Sequence, residues 1–221
     1  MHPAWQKMIV NRILSEIETK RQKKNQKIEK YKVCISNMAI YYDLKYVLGI
    51  IDGYRKIYIK LFEDMSEFNF MNCSSVTDGY DNSTATHKEV MLYAHTLSTF
   101  DQMVMIVNAS NEHKIQKDLY LLIALLHDFG KSHELCKSYK IVIGEDNHCV
   151  RSAKYFEKII NKNKELEIDH ISFKIIYDAL FTHHKEWGID DLGQNNKFLV
   201  ALKQADGNAR AAEIIEMERL I

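Results

Sequence analysis

The sequence predicts an all-α fold, with a helical domain over residues 87–221 and an N-terminal helical extension and loop over residues 1–86. Three observations point there. The 221 residues contain one proline, Pro3, and only 8 glycines, which leaves few of the tight turns that a sheet-rich chain needs. Apolar residues recur three and four positions apart along most of the chain, the period of an amphipathic helix. Leu119–Leu126 is an unbroken apolar run, LYLLIALL, without β-branched dominance, and reads as a helix buried on all sides.

Composition narrows the partners. Hydrophobic residues make up 46% of the chain, enough for a proper core. Thirty basic residues balance thirty acidic ones, so bulk charge favours neither nucleic acid nor a membrane surface. No apolar stretch approaches the roughly 18 residues of a membrane span, and the N-terminus lacks the apolar core of a secretion signal. Cys34, Cys73, Cys136 and Cys149 form no CxxC and read as thiols of a reducing compartment, so a cytoplasmic chain is expected.

The elements follow in order. Ala4–Tyr31 carries Trp5, Met8, Ile9, Ile13, Leu14 and Ile17 at helical spacing. Its basic stretch, Lys20–Lys32, reads either as a nucleic-acid contact or as the solvated face of a long helix, and the second is favoured. Trp5, Met8 and Ile9 could form an apolar interface, so the oligomeric state is open. Ile35–Phe68 reads as one or two helices whose tyrosines are core and rim residues. Ser66–Thr86, rich in Asn, Ser, Thr, Asp and Gly, reads as a loop. Helices are then expected over His87–Asn108, Lys117–Asp128, Asp146–Asn161, Ser172–His184 and Phe198–Ile221, with Asp146 or Asn147 capping the third. Ser138–Val142 reads as loop. The first of these helices carries Val90, Met91, Ala94, Leu97, Met103, Val104 and Ile106 at helical spacing.

The chemistry gathers where the apolar run ends. His127 and Asp128 follow Leu126 directly, and two ionisable groups at the end of a buried helix are costly to desolvate uncompensated. They read either as an ion pair closing a core helix or as ligands of a cation. Gly130 is expected to cap the helix in the left-handed conformation, leaving Lys131 at the mouth of the site. His95, His148, the His183-His184 pair and Asp206 fall on or beside other apolar helices. Five such clusters, all imidazole or carboxylate, fit a pair of divalent metals better than five separately satisfied core residues.

This ordered set, with HDFGK at its centre, resembles the HD-domain superfamily of metal-dependent phosphohydrolases over roughly His87–Ile221, which implies an HD-type helical bundle. His148 and the His183-His184 pair resemble the subset that binds two metals and cleaves phosphodiesters. The resemblance implies that His95, His127, Asp128 and Asp206 hold one metal. It implies that Asp128 bridges to a second, held by His148 and by His183 or His184. Lys131 would then neutralise phosphoryl charge or help position the leaving group. Arg151 and Arg210, one helical turn beyond His148 and Asp206, read as phosphate clamps or as surface ion pairs. Imidazole-rich ligation favours Mn or Fe, with Mg, Ni and Zn as alternatives. The Gly-Tyr-Pro tripeptide of one cyclic-dinucleotide-cleaving subset is absent, and HHKEWGIDDLGQNN stands in its place.

The expected function is therefore a metal-dependent phosphohydrolase, foremost a phosphodiesterase acting on a nucleotide or cyclic dinucleotide. Two alternatives stand beside it. One is the HD domain of a conjugative relaxase or another nucleic-acid-processing protein, although nucleic acid is not favoured as a partner. The other is a non-catalytic metal-binding regulatory module.

Overall fold

The computed structural model describes residues 39–76, 90–110, 114–143, 147–184 and 197–219. The expected helix over Ala4–Tyr31, with its basic stretch and apolar patch, lies outside the described residues. So do Glu186, Trp187 and Gly188. Among the described residues the chain is all-α, with eight α-helices and two 3-10 turns.

Helices α1 (Ala39–Ile50) and α2 (Arg55–Glu67) meet at a tight turn where Tyr54 takes a left-handed conformation, φ 53°. No side chain caps α2. Asp118, in α4, serves the turn instead, accepting from Asp52 N at 3.3 Å and Gly53 N at 2.5 Å. The tyrosines divide as core and rim: Tyr58 is buried, while Tyr42 and Tyr46 are exposed.

The expected loop after α2 contains a 3-10 turn, Phe70–Asn72, and an isolated bridge between Ser74 and Met91. That bridge extends the backbone through Met91, so α3 begins at Leu92 and runs to Ala109. Its buried face is Leu92, Tyr93, His95, Thr96, Thr99, Phe100, Met103 and Val107. Met91 and Ala94 are exposed. His95 lies on this buried face.

Helix α4 (Lys114–Leu126) is the central helix, and every residue from Leu119 to Leu126 is buried, as its apolar run requires. It packs against α3, α7 and α8. The helix stops before His127. A 3-10 turn, Phe129–Lys131, follows, closed by Lys131 N donating to Asp128 O at 2.9 Å. A short helix missed in the sequence, α5 (His133–Ser138), comes next, with Ser132 Oγ capping its start by accepting from Leu135 N. Six residues are too few to show a helical period.

Helix α6 (His148–Lys162) is capped by Asn147, whose side chain accepts from Val150 N at 3.1 Å. Helix α7 (His170–Thr182) is capped by Asp169 accepting from Ser172 N at 2.9 Å. Helix α8 spans Lys197–Arg219. One hydrophobic core runs from Val47 in α1 to Ala205 in α8, so residues on both sides of the expected 86/87 division share it.

The 3-10 turn after Asp128 is packed tightly. Phe129 lies between Phe70, with ring centroids 4.8 Å apart, and Tyr155, stacked at 5.1 Å. Beneath them the buried Asp64 accepts from Tyr139 Oη at 2.8 Å and Tyr155 Oη at 2.6 Å. Gly130 does not act as the left-handed cap expected of it, since its φ lies outside that region. It is needed for space instead. A Cβ there would lie 2.7 Å from both Arg151 Cβ and Ser152 N, and closer still to His148 O. Glycine lets α6 approach the turn that carries His127 and Asp128.

Candidate metal centre

Five elements converge on one point. Helix α3 brings His95, the turn after α4 brings His127 and Asp128, and the first turn of α6 brings His148. The end of α7 brings His183 and His184, and the middle of α8 brings Asp206. Asp128 is central and 1% exposed. Its Oδ2 lies 3.4 Å from His95 Nε2 and 3.2 Å from His127 Nε2. Its Oδ1 lies 3.3 Å from His148 Nε2. One carboxylate thus turns an oxygen toward each of two groups of donor atoms.

The first group is His95, His127 and Asp206, the second His148, Cys149, His183 and His184; within each, the donor atoms lie within 4.8 Å of one another. Three of the rings are oriented from behind. His95 Nδ1 donates to Glu213 Oε1, His127 Nδ1 to Ala124 O and His183 Nδ1 to Leu180 O, each at 2.8 Å. This leaves Nε2 of each ring facing inward, as metal-ligating histidines are usually held. His95 Nε2, His127 Nε2 and Asp206 Oδ1 are buried without a hydrogen-bond partner. His95 Nε2 and Asp206 Oδ1 approach to 3.1 Å, an ion-pair distance without hydrogen-bond alignment. Buried polar atoms rarely go unpaired, and three of them converging on one point fit a divalent ion.

The cationic side chains take unexpected positions. Lys131 does not stand at the mouth of the site. It turns inward, donating to Asp128 Oδ2 at 2.6 Å and Ser75 O at 2.8 Å. Arg210 donates to Ser75 Oγ at 2.9 Å and Ser75 O at 3.1 Å, and pairs with Glu213 at 3.2 Å. It lies 4.0 Å from both Asp128 and Asp206. Arg151 is buried, with its Nε on Gly130 O at 2.8 Å. There it ties α6 to the 3-10 turn rather than lying at the surface. His133 and His170 are exposed and lie outside the cluster.

Sequence reasoning missed Glu213, Cys149 and Ser75. Glu213 shares the face of Asp206 and Arg210 by its spacing on α8 and was legible. Cys149 adjoins His148, but its spacing to the other cysteines gave no metal signal. Ser75 had no local signal at all.

A scan against family models matches the HD domain over residues 92–217. The chain belongs to the HD domain family. HD domains are, as a family, metal-dependent phosphohydrolases that typically bind divalent metals and act on phosphate esters. Searches of curated proteins and of solved structures found no match. No helix among the described residues of this HD protein is long and apolar enough to cross a membrane.

Electrostatics divide the histidines of the HD site. Burial works against a charge on His95, but the carboxylates of Asp128, Asp206 and Glu213 outweigh it and raise its pKa to about 10. Burial lowers His148 to about 2 and His183 to about 3, and it also lowers His184. Burial pushes the Cys149 thiol up to about 12. Burial opposes ionisation of Asp128, yet the neighbouring His127 and Lys131 hold its carboxyl well below the usual range. A proton on His95 thus occupies the electrostatic position that a cation would take.

These shifts set the pH dependence of the metal-free protein. His95 is raised, so its stabilisation is complete below the ordinary imidazole pKa, about 6.5, and is lost as pH rises toward about 10. His148 and His183 are lowered, so their stabilisation is present above that value and is lost as pH falls toward about 3. Stability in chelator is therefore expected to peak near pH 6.5. Denaturant midpoints measured from pH 5 to 9 check this, and a midpoint that climbs steadily across that range contradicts it.

Proposed function

We propose that this HD domain is a two-metal phosphodiesterase acting on a nucleotide or cyclic (di)nucleotide. The observation that carries the reading is the divided carboxylate of Asp128, with one oxygen toward each donor group. His95, His127, Asp128 and Asp206 would hold one ion. Asp128, His148, His183 and His184 would hold the other. The ions, when bound, supply Lewis acidity and a water of lowered pKa. Imidazole-rich ligation favours Mn or Fe over Mg, with Ni and Zn as further candidates.

The chain's own residues do the rest. Lys131 and Arg210 place two cationic groups beside Asp128, both resting on Ser75 O. Phosphoryl oxygens arriving there would replace a neutral backbone acceptor with an anionic one, so that both partners of each hydrogen bond carry charge. Arg210 can present a planar fork and Lys131 a point charge. Arg151 holds the turn that carries Asp128 and would act on substrate only through that turn. The free thiols Cys73, Cys136 and Cys149 support a reducing, cytoplasmic setting.

The test is elemental analysis of protein supplied with Mn or Fe, beside hydrolysis of a chromogenic phosphodiester and the matching monoester. About two ions per chain with diester turnover is the expected result. One ion with turnover of the monoester alone would replace the diesterase with a phosphatase or nucleotidase. No bound ion and no turnover would leave a helical binding module.

Glu213 supplies a second check. Glu213→Gln keeps the shape but loses the charge that orients His95. Outer partners of this kind are typically worth 10–100-fold in metal affinity. Competition with a chelating dye is expected to show a loss of about that size. Unchanged affinity would mean that His95 is oriented by packing alone.

A further inference from the structure

The second donor group contains an atom that the two-metal reading leaves unused. Cys149 Sγ lies 3.4 Å from His183 Nε2, and the cysteine is fully buried. His183 Nδ1 already donates to Leu180 O, so in the neutral ring the Nε2 lone pair points at the sulfur. Sγ also lies within 4.8 Å of the donor atoms of His148 and His184. His148 and Cys149 are the first two residues of their helix, and their donor atoms share one target. Here that target is the His183-His184 turn.

We propose that Cys149 is a thiolate ligand of the second metal, beside His148, His183 and His184. The inference rests on the two-metal reading above and deepens it.

Bond lengths suit the proposal. Ions of the zinc type bind thiolate at about 2.3 Å and imidazole at about 2.0 Å, which separates two tetrahedral ligands by roughly 3.5 Å. The Cys149–His183 gap is of that size. The site lies at the N-terminus of α6, a 15-residue helix, whose dipole favours a negative sulfur. Coordination requires one exchange: the thiol proton leaves to solvent as the sulfur–metal bond forms. A simple S–H donated to His183 would also occupy the sulfur, but it would give Cys149 no part in metal binding. A thiolate makes this half of the site softer than the His95, His127 and Asp206 half. It should prefer Zn, Fe or Co to Mg or Mn, so the two positions should differ in metal preference.

Cobalt(II) tests this without reference to turnover. Protein loaded with two equivalents of cobalt is expected to show a near-ultraviolet sulfur-to-cobalt charge-transfer band. The band should persist in Cys136→Ser and in a variant lacking Cys34 and Cys73. It should vanish in Cys149→Ser while the visible ligand-field bands remain. Retention of the band in Cys149→Ser overturns the proposal. Two bound cobalt ions with no such band in the wild-type protein overturn it equally, whether or not Cys149→Ser folds. No cobalt binding at all overturns the two-metal reading and this proposal together, whereas cobalt bound without the band removes the thiolate alone.

Discussion

Asp128→Ala is expected to lower phosphodiester turnover by about 10³-fold or more and to reduce bound metal from two ions to one or none. Among the described residues, Asp128 is the carboxylate that faces both donor groups, at 3.2–3.4 Å from His95, His127 and His148. Removing it takes a ligand from each position at once. Metal assistance contributes several kcal/mol to a hydrolytic barrier, and each 1.36 kcal/mol is tenfold in rate, which gives the magnitude. The variant also releases Lys131, whose ammonium lies 2.6 Å from Asp128 Oδ2. Asp128→Asn separates the two effects, since the amide keeps the shape and a hydrogen-bonding oxygen but loses the charge. Turnover within tenfold of wild type in both variants, with two ions retained, would remove Asp128 from the centre of the mechanism.

Gly130→Ala is expected to be the most damaging alanine substitution among the described glycines. Its Cβ would press on backbone atoms of α6, at 2.7 Å from Ser152 N and nearer still to His148 O. Backbone cannot swing aside as a side-chain tip can. Overpacking of this kind costs about 3 kcal/mol, and a chain of this size loses about 2–4 °C of melting temperature per kcal/mol. A drop of roughly 6–12 °C follows from these values. Metal affinity should fall as well, because the pressure lands on His148. Gly207→Ala provides the contrast. It lies within α8, with nothing within 4 Å of its would-be Cβ, and alanine there should stabilise the helix by about 0.5–1 kcal/mol. Equal melting temperatures for the two variants would refute the packing account of Gly130.

Much of this site was readable in the chain because its residues interrupt strong apolar patterns. Leu119–Leu126 could only be a buried helix, and the ionisable pair at its end had to answer for its desolvation. Histidines on the inward faces of α3, α6 and α7 stood out for the same reason. What escaped notice depends on approach in space. Helix α3 starts at Leu92 rather than at His87 because the Ser74–Met91 bridge keeps the backbone extended through Met91. The role of Gly130 was misread because α6, which makes the space tight, lies beyond a loop. Arg151 reads as a phosphate clamp from spacing, but the same turn of helix brings it to Gly130 O. Ser75 has no periodicity to betray it.

Ser75 also bears on what is cut when this protein is trimmed. The family match begins at residue 92, yet Ser75 provides the oxygens on which Lys131 and Arg210 rest. Phe70 covers one face of Phe129, and Asp64 binds Tyr139 and Tyr155. A fragment made to the limits of the match would take the Ser75 carbonyl from two cationic side chains, uncover one face of Phe129 and remove the carboxylate that Tyr139 and Tyr155 share. The match marks the stretch that relatives have in common. The smallest piece that can stand alone is longer, and it reaches back at least to α2.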